Sequence, residues 1–160
     1  MTQQMAIWGI GLKFALFSFL YFICALIVHL IFYPLFVIET IPYTLLVGAG
    51  TVLMGIGIPI WIISAIAIVK GFSEGILVTE GIYAICRHPL YGQAIFYTFP
   101  GLLMFFKSYI LFTLPLFMYF LFRILISAEE KYLQEKFGNA FVDYMNSVNM
   151  IFPKFWKMFK

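Results

Sequence analysis

Between Lys13 and Glu39, and again between Glu39 and Lys70, the chain carries no charged side chain. Few architectures accept two such runs. A helix crossing a bilayer needs about 20 apolar residues, and in lipid every backbone amide must be satisfied within the segment. The stretch from His88 to Lys107 is uncharged when the histidine is neutral, and Lys107 to Arg123 is a shorter stretch that Ile124 to Ala128 extends. These limits predict four spans, at about 14–33, 44–69, 91–106 and 109–128, with the last two joined tightly at Lys107-Ser108 as a hairpin. The predicted fold is an all-α integral membrane protein in one membrane domain over 1–160, with kinked spans, a cytoplasmic helical extension and an interfacial C-terminal segment.

Composition closes the other routes. Only 11% of the 160 residues are charged and 64% are hydrophobic, against about 25% charged in soluble domains. A free cytosolic enzyme, a secreted disulfide scaffold, a disordered tail and a nucleic-acid binder are all excluded. The net charge of +3 is too small for a polyanion footprint. Cys24 lies in an apolar run and Cys86 in a polar loop, so no bridge is expected, and two Cys with two His make no metal framework. The apolar stretch after Lys13 is too long for a signal-peptide core.

Charge placement sets orientation. Of ten Lys and Arg residues, Lys13, Lys70, Arg87, Arg123, Lys131, Lys136, Lys154, Lys157 and Lys160 fall on one side of the predicted spans and Lys107 alone on the other. The positive-inside bias places both termini and the 70–90 loop in the cytoplasm.

In the second span Thr44, Gly48, Thr51 and Gly55 make one narrow small-residue face, the kind that lets transmembrane backbones approach. The Gly48-Ala49-Gly50 and Gly55-Ile56-Gly57 runs lie within apolar sequence, so packing explains them better than nucleotide binding. Pro59, Pro100 and Pro115 are each expected to kink a span. From Ala128 to Val148 a mixed polar and apolar helical pattern leads into water. Phe152, Phe155, Trp156 and Phe159 then alternate with Lys154, Lys157 and Lys160, a pattern suited to an anionic leaflet.

Polar side chains are scarce, and they gather in two places. One is Gly81 to Gly92, with Tyr83, Arg87, His88, Pro89, Tyr91 and also Gln93; the other is Arg123 with Glu129-Glu130. Singly, each has a bland reading. Arg87 and His88 suit membrane anchoring, Pro89 a helix start, Glu129-Glu130 a solvated face, and Arg123 snorkelling to headgroups. Adjacent carboxylates diverge on a helix, so Glu129 and Glu130 are expected to serve different partners. His29, alone in the first span, reads as an interhelical hydrogen bond. Cys86 beside Arg87 is expected to favour a thiolate, and Glu74 and Glu80 bound a loop with the makings of a lid.

Jointly, Gly81-Ile82-Tyr83-Ala84-Ile85-Cys86-Arg87-His88-Pro89-Leu90-Tyr91 followed by Glu129-Glu130, Phe137-Gly138, Phe141, Tyr144 and Pro153 resembles the isoprenylcysteine carboxyl methyltransferases and phospholipid N-methyltransferases. The likeness covers about Leu77 to Pro153, and the first two spans share only their apolarity with the family. It implies a membrane methyltransferase using S-adenosylmethionine and a lipophilic acceptor. Tyr83, Arg87, His88, Pro89, Tyr91, Glu129 and Glu130 then belong to the cofactor site, with Arg123 and Glu130 at the reacting centre.

Residue chemistry suits that implication. Arg87 or His88 suits a carboxylate, Glu129 or Glu130 an ammonium or ribose, and Tyr83 or Tyr91 an adenine or a sulfonium. Proximity alone supplies roughly 7–11 kcal/mol to well-oriented reactants. A carboxylate acceptor needs no base, whereas an ammonium acceptor must first lose a proton, a task open to Glu130. Two other readings stand beside it: an NADPH-dependent membrane sterol reductase, against which the shortness of the chain counts, and a small membrane adaptor or transporter subunit.

Overall fold

The computed structural model describes residues 10–152, which are 75% helix with no strand among them. The two charge-free runs form α1 (Gly11–Ile31) and α2 (Tyr43–Glu74). Both are long and apolar enough to cross a membrane, yet only 22% and 11% of their most hydrophobic stretches are buried. The core helix of a soluble protein would be mostly covered. At about 1.5 Å per residue α2 runs about 48 Å, longer than the hydrocarbon core of about 30 Å. It ends at Gly75, whose φ of 69° lets its own amide and that of Ile76 close back onto Phe72 and Gly71.

A 3₁₀ turn (Gly81–Ala84) leads to α3 (Pro89–Gln93), which passes through a π-turn (Ala94–Thr98) into α4 (Phe99–Met104). This run is roughly 24 Å long, short of the hydrocarbon thickness. α5 (Thr113–Phe137) carries Arg123 as its one charge before Glu129, and α6 (Asn139–Ser147) completes the order. Long apolar helices thus account for two of the four expected spans; the other two correspond to the α3–α4 run and the first half of α5. The connection between them occupies 105–112 rather than Lys107-Ser108 alone, with Lys107 at φ 52°. It pairs with the α1–α2 connection: Ile38 donates to the Lys107 carbonyl and Tyr109 to that of Phe36, both at 2.9 Å.

The expected packing face of α2 is corrected. A Cβ built on Gly48 or Gly55 meets nothing within 4 Å, and Thr44 and Thr51 are exposed. The buried small residues are Gly50, Gly57, Ser64 and Gly71, a strict seven-residue repeat one register away. At Gly50 an added Cβ would lie 2.6 Å from the Gly101 carbonyl oxygen, and at Gly57 2.5 Å from Thr98 Oγ1. Both faces are glycine-rich, so sequence alone does not tell them apart.

The prolines differ from one another. α2 continues through Pro59, and Pro100 follows the π-turn, whose wider loop accommodates the amide that proline lacks. Pro115 falls in the first turn of α5, where a missing amide costs no helical hydrogen bond, so no kink is required of it. The helical extension is broken at Gly138, whose φ of 55° and ψ of −130° turn the chain into α6. His29 is hydrogen-bonded, but to the 105–112 connection rather than to another helix: its Nδ1 lies 3.0 Å from Ser108 Oγ, both side chains being buried. Of the C-terminal aromatic pattern, Phe152 packs on Phe96 with ring centroids 5.1 Å apart; the remainder lies outside the described residues.

Candidate active site

Pro89 occupies the first position of α3 and bars helical geometry at His88, which sits at φ −126° and ψ 61°. The Arg87-His88 backbone is held by the returning chain: the Arg87 amide donates to the Asn149 carbonyl at 2.9 Å and the His88 amide to that of Met150 at 3.0 Å. Core packing brings α5 alongside, with Phe122, fully buried, against both the His88 and Tyr91 rings at 5.8 and 5.3 Å.

Five polar side chains meet there. Arg87 donates to Glu130 Oε1 from Nη2 at 2.7 Å and from Nε at 3.1 Å. His88 Nε2 lies 3.2 Å from the same oxygen, and its Nδ1 lies 3.6 Å from Glu129 Oε1. Tyr91 donates its hydroxyl to Glu129 Oε2 at 3.0 Å, and the Ile10 amide at the start of α1 faces that oxygen at 3.4 Å. The two carboxylates therefore divide their other partners as expected, yet they share His88 between its two nitrogens. That sharing was not anticipated.

Burial opposes charge on His88, but hydrogen bonds and charge from Glu129 and Glu130 win and hold its pKa above the ordinary 6.5. Burial likewise opposes charge on Glu130, and the bonds from His88 and Arg87 hold it below the ordinary 4.5. The cluster thus sets the His88 ring and the Arg87 guanidinium against two acidic side chains. Cys86 does not become a thiolate beside Arg87: burial pushes its thiol up to about 11, outweighing a hydrogen bond from the His88 backbone.

Not every expected residue joins. Tyr83 is buried and donates its hydroxyl to the Ser64 carbonyl at 3.2 Å, while its own carbonyl accepts from Tyr144 at 2.6 Å. It ties α2 to α6. Arg123 is exposed, and its Nη1 lies 3.7 Å from Met150 Sδ, apart from the Glu130 cluster. In the loop between Glu74 and Glu80, Val78 packs closely on Gly71. Reading the sequence missed the carbonyls of Met145 and Val148, which accept from Arg87 Nη1 at 3.0 and 2.6 Å, and the Ile10 amide. Backbone groups leave no residue-type signal.

The sequence profile of the isoprenylcysteine carboxyl methyltransferase family matches residues 47–135, more than half of the chain, from α2 through Tyr83, Arg87, His88 and Tyr91 to Glu129-Glu130. The chain belongs to the isoprenylcysteine carboxyl methyltransferase family. Family membership takes in most of α2, which looked merely apolar, and together with two apolar helices it makes this an integral membrane protein of methyltransferase kind. No curated protein and no solved structure matches the chain.

The donor set fits the cofactor of such an enzyme. Arg87 and His88 side chains are 8% and 5% exposed, whereas Glu129 and Glu130 keep 18% and 16%. The approachable face is therefore carboxylate with the Tyr91 phenol beside it, a surface that attracts cations. S-adenosylmethionine carries an ammonium and a sulfonium.

Proposed function

We propose that the protein methylates a lipophilic membrane acceptor with S-adenosylmethionine, in a reaction most like isoprenylcysteine carboxyl methyl esterification. The observation that carries this reading is the convergence of His88, Tyr91, Glu129 and Glu130 in one half-buried cluster inside the family-matched segment. When bound, the cofactor supplies an activated methyl group on a sulfonium. Glu129, Glu130 and Tyr91 would hold it by their approachable oxygens and ring. His88 fixes the two carboxylates relative to each other, and Tyr83, Arg87 and Pro89 build the turn that carries His88. Arg123 would act at the reacting centre, on the strength of the family resemblance.

Glu130 also bears on the acceptor. A carboxylate stabilised by Arg87 and His88 is a poor proton acceptor. Amine methylation needs a base and ester formation does not, so this favours a carboxylate acceptor over a phospholipid amine.

The same reading makes 1–160 one membrane domain with four spans, with α3–α4 and α5 crossing beside α1 and α2. The cluster, both termini and the 75–88 loop then face the cytoplasm. Lys107 supports this, since its segment pairs with the α1–α2 connection at the bundle end opposite to Glu129.

Calorimetry and thermal shift with S-adenosylmethionine on the detergent-purified chain test the reading. Binding is expected, and His88→Ala or Glu130→Ala should abolish it. Label from radioactive cofactor should enter membrane lipid and be lost under mild base. An unchanged melting temperature with no heat of binding would overturn the proposal, and base-stable label would move it to N-methylation.

A further inference from the structure

α1 lies wholly outside the family-matched segment 47–135, yet it touches two of the residues that would hold the cofactor. Its first turn has no acidic side chain and no side-chain cap of its own. Glu129 supplies the charge from α5: the Ile10 amide points at its Oε2 at 3.4 Å, the same oxygen that the Tyr91 hydroxyl holds at 3.0 Å. Negative charge beside a helix N-terminus is favourable, so this contact orders the carboxylate as well as the helix. Four residues on, Phe14 sets its ring edge-on to Tyr91 with centroids 5.2 Å apart, and Phe122 packs on the same phenol ring at 5.3 Å. Ile10 and Phe14 are both buried.

The rest of α1 does not fix that end. The hydrogen bonds of Tyr21 to Thr113 Oγ1, at 2.9 Å, and of His29 to Ser108 tie the helix toward its other end. Between the two ends a cavity of 310 Å³ separates α1 from Phe99 of α4 and Met118 of α5. The start of α1 is therefore set by what it meets at Glu129 and Tyr91. In turn, two donors on Oε2 fix the plane of the Glu129 carboxylate, while its Oε1 meets only the long 3.6 Å contact to His88 Nδ1 and is left for a cation.

We propose that α1 is a positioning element of the cofactor site: the Ile10 amide holds Glu129, and the Phe14 ring holds Tyr91, in the arrangement that receives the cationic part of S-adenosylmethionine. The proposal rests on the methyltransferase reading. Neither group touches the cofactor; each acts through its neighbour. Nothing in residue type marks them, since one is a backbone amide and the other is one phenylalanine among 20.

Proline at position 10 deletes the amide selectively. The φ of −82° at Ile10 is close to the value that proline imposes, and the Ile10 carbonyl, which accepts from the Phe14 amide at 2.9 Å, is kept. Ile10→Ala also trims the side chain but retains the amide, so it is the control. Calorimetry with S-adenosylmethionine is run on the full chain in detergent, below the melting temperature of every variant. Ile10→Pro is expected to bind about tenfold more weakly than Ile10→Ala, and Phe14→Leu about threefold more weakly than the wild type. A purely structural α1 would lower melting temperatures and leave these dissociation constants unmoved, which would overturn the proposal. A second arm needs no cofactor. Amide hydrogen exchange at residues 10–14 should quicken in Glu129→Ala while that of residues 21–31 holds; unchanged exchange at 10–14 would also overturn it. A wild type that binds no S-adenosylmethionine, yet shows the Glu129-dependent exchange, would remove the methyltransferase reading and leave the hold of α1 on Glu129 standing.

Discussion

The Arg87 guanidinium closes two hydrogen bonds on one oxygen of Glu130, at 2.7 and 3.1 Å, while its Nη1 holds the carbonyls of Met145 and Val148 at the end of α6. One side chain thus joins α5, the turn before α3 and the last turn of α6. Positive charge at a helix C-terminus is favourable, and a guanidinium has the donors for both tasks. Arg87 is therefore a positioning residue, and its contribution to cofactor binding runs through Glu130.

Arg87→Ala is expected to lower stability by about 3–5 kcal/mol, because it leaves the half-buried Glu130 with His88 alone and frees two carbonyls. Glu130→Gln keeps an oxygen for the guanidinium and should cost less, roughly 1–3 kcal/mol. Unfolding midpoints in mild detergent compare the two; equal losses would mean that the α6 carbonyls contribute nothing.

The cluster also sets a pH window. His88 has its folded pKa raised, so its contribution is complete below the ordinary 6.5 and fades as pH rises through the folded value. Glu130 has its folded pKa lowered, so its contribution is complete above the ordinary 4.5 and fades as pH falls through the folded value. The two together are strongest between about 4.5 and about 6.5. Melting temperature followed across pH should decline on the alkaline side, and His88→Gln should flatten that limb and also shrink the acid one, since His88 helps to lower Glu130.

Glycines of α2 should respond with opposite signs. Gly50→Ala drives a methyl into the Gly101 carbonyl and is expected to destabilise by about 1–3 kcal/mol. Gly48→Ala and Gly55→Ala meet open space and should gain up to about 1 kcal/mol from helix propensity. Thermal unfolding of the three single variants decides which glycine face carries the packing.

Those glycines also show what the sequence could and could not say. Absence of charge located α1 and α2 because lipid imposes it all round a helix, but the same uniformity hides which face packs. The cluster was legible because ionised groups are rare here: Arg87, His88, Tyr91, Glu129 and Glu130 were singled out and do meet. The partners of Arg87 on α6 were not, because carbonyls are common to every residue and the Gly138 break that delivers them lay within a helical pattern. Tyr83 had the right residue type for a site and is spent on holding α2 to α6.

Arg123 provides the sharpest separation of roles. It is exposed, and its contact with Met150 Sδ is long and weak, so Arg123→Ala should change stability by no more than about 0.5 kcal/mol. Since it stands apart from Glu129, Glu130 and Tyr91, cofactor affinity should also hold. If Arg123 acts at the reacting centre, methyl transfer alone falls, by about tenfold or more, the loss of one charge-assisted contact in the transition state. Glu130→Gln should instead weaken cofactor binding and transfer together. Parallel calorimetry and initial rates on the two variants distinguish them, and an Arg123→Ala enzyme with undiminished turnover would confine that residue to the headgroup surface.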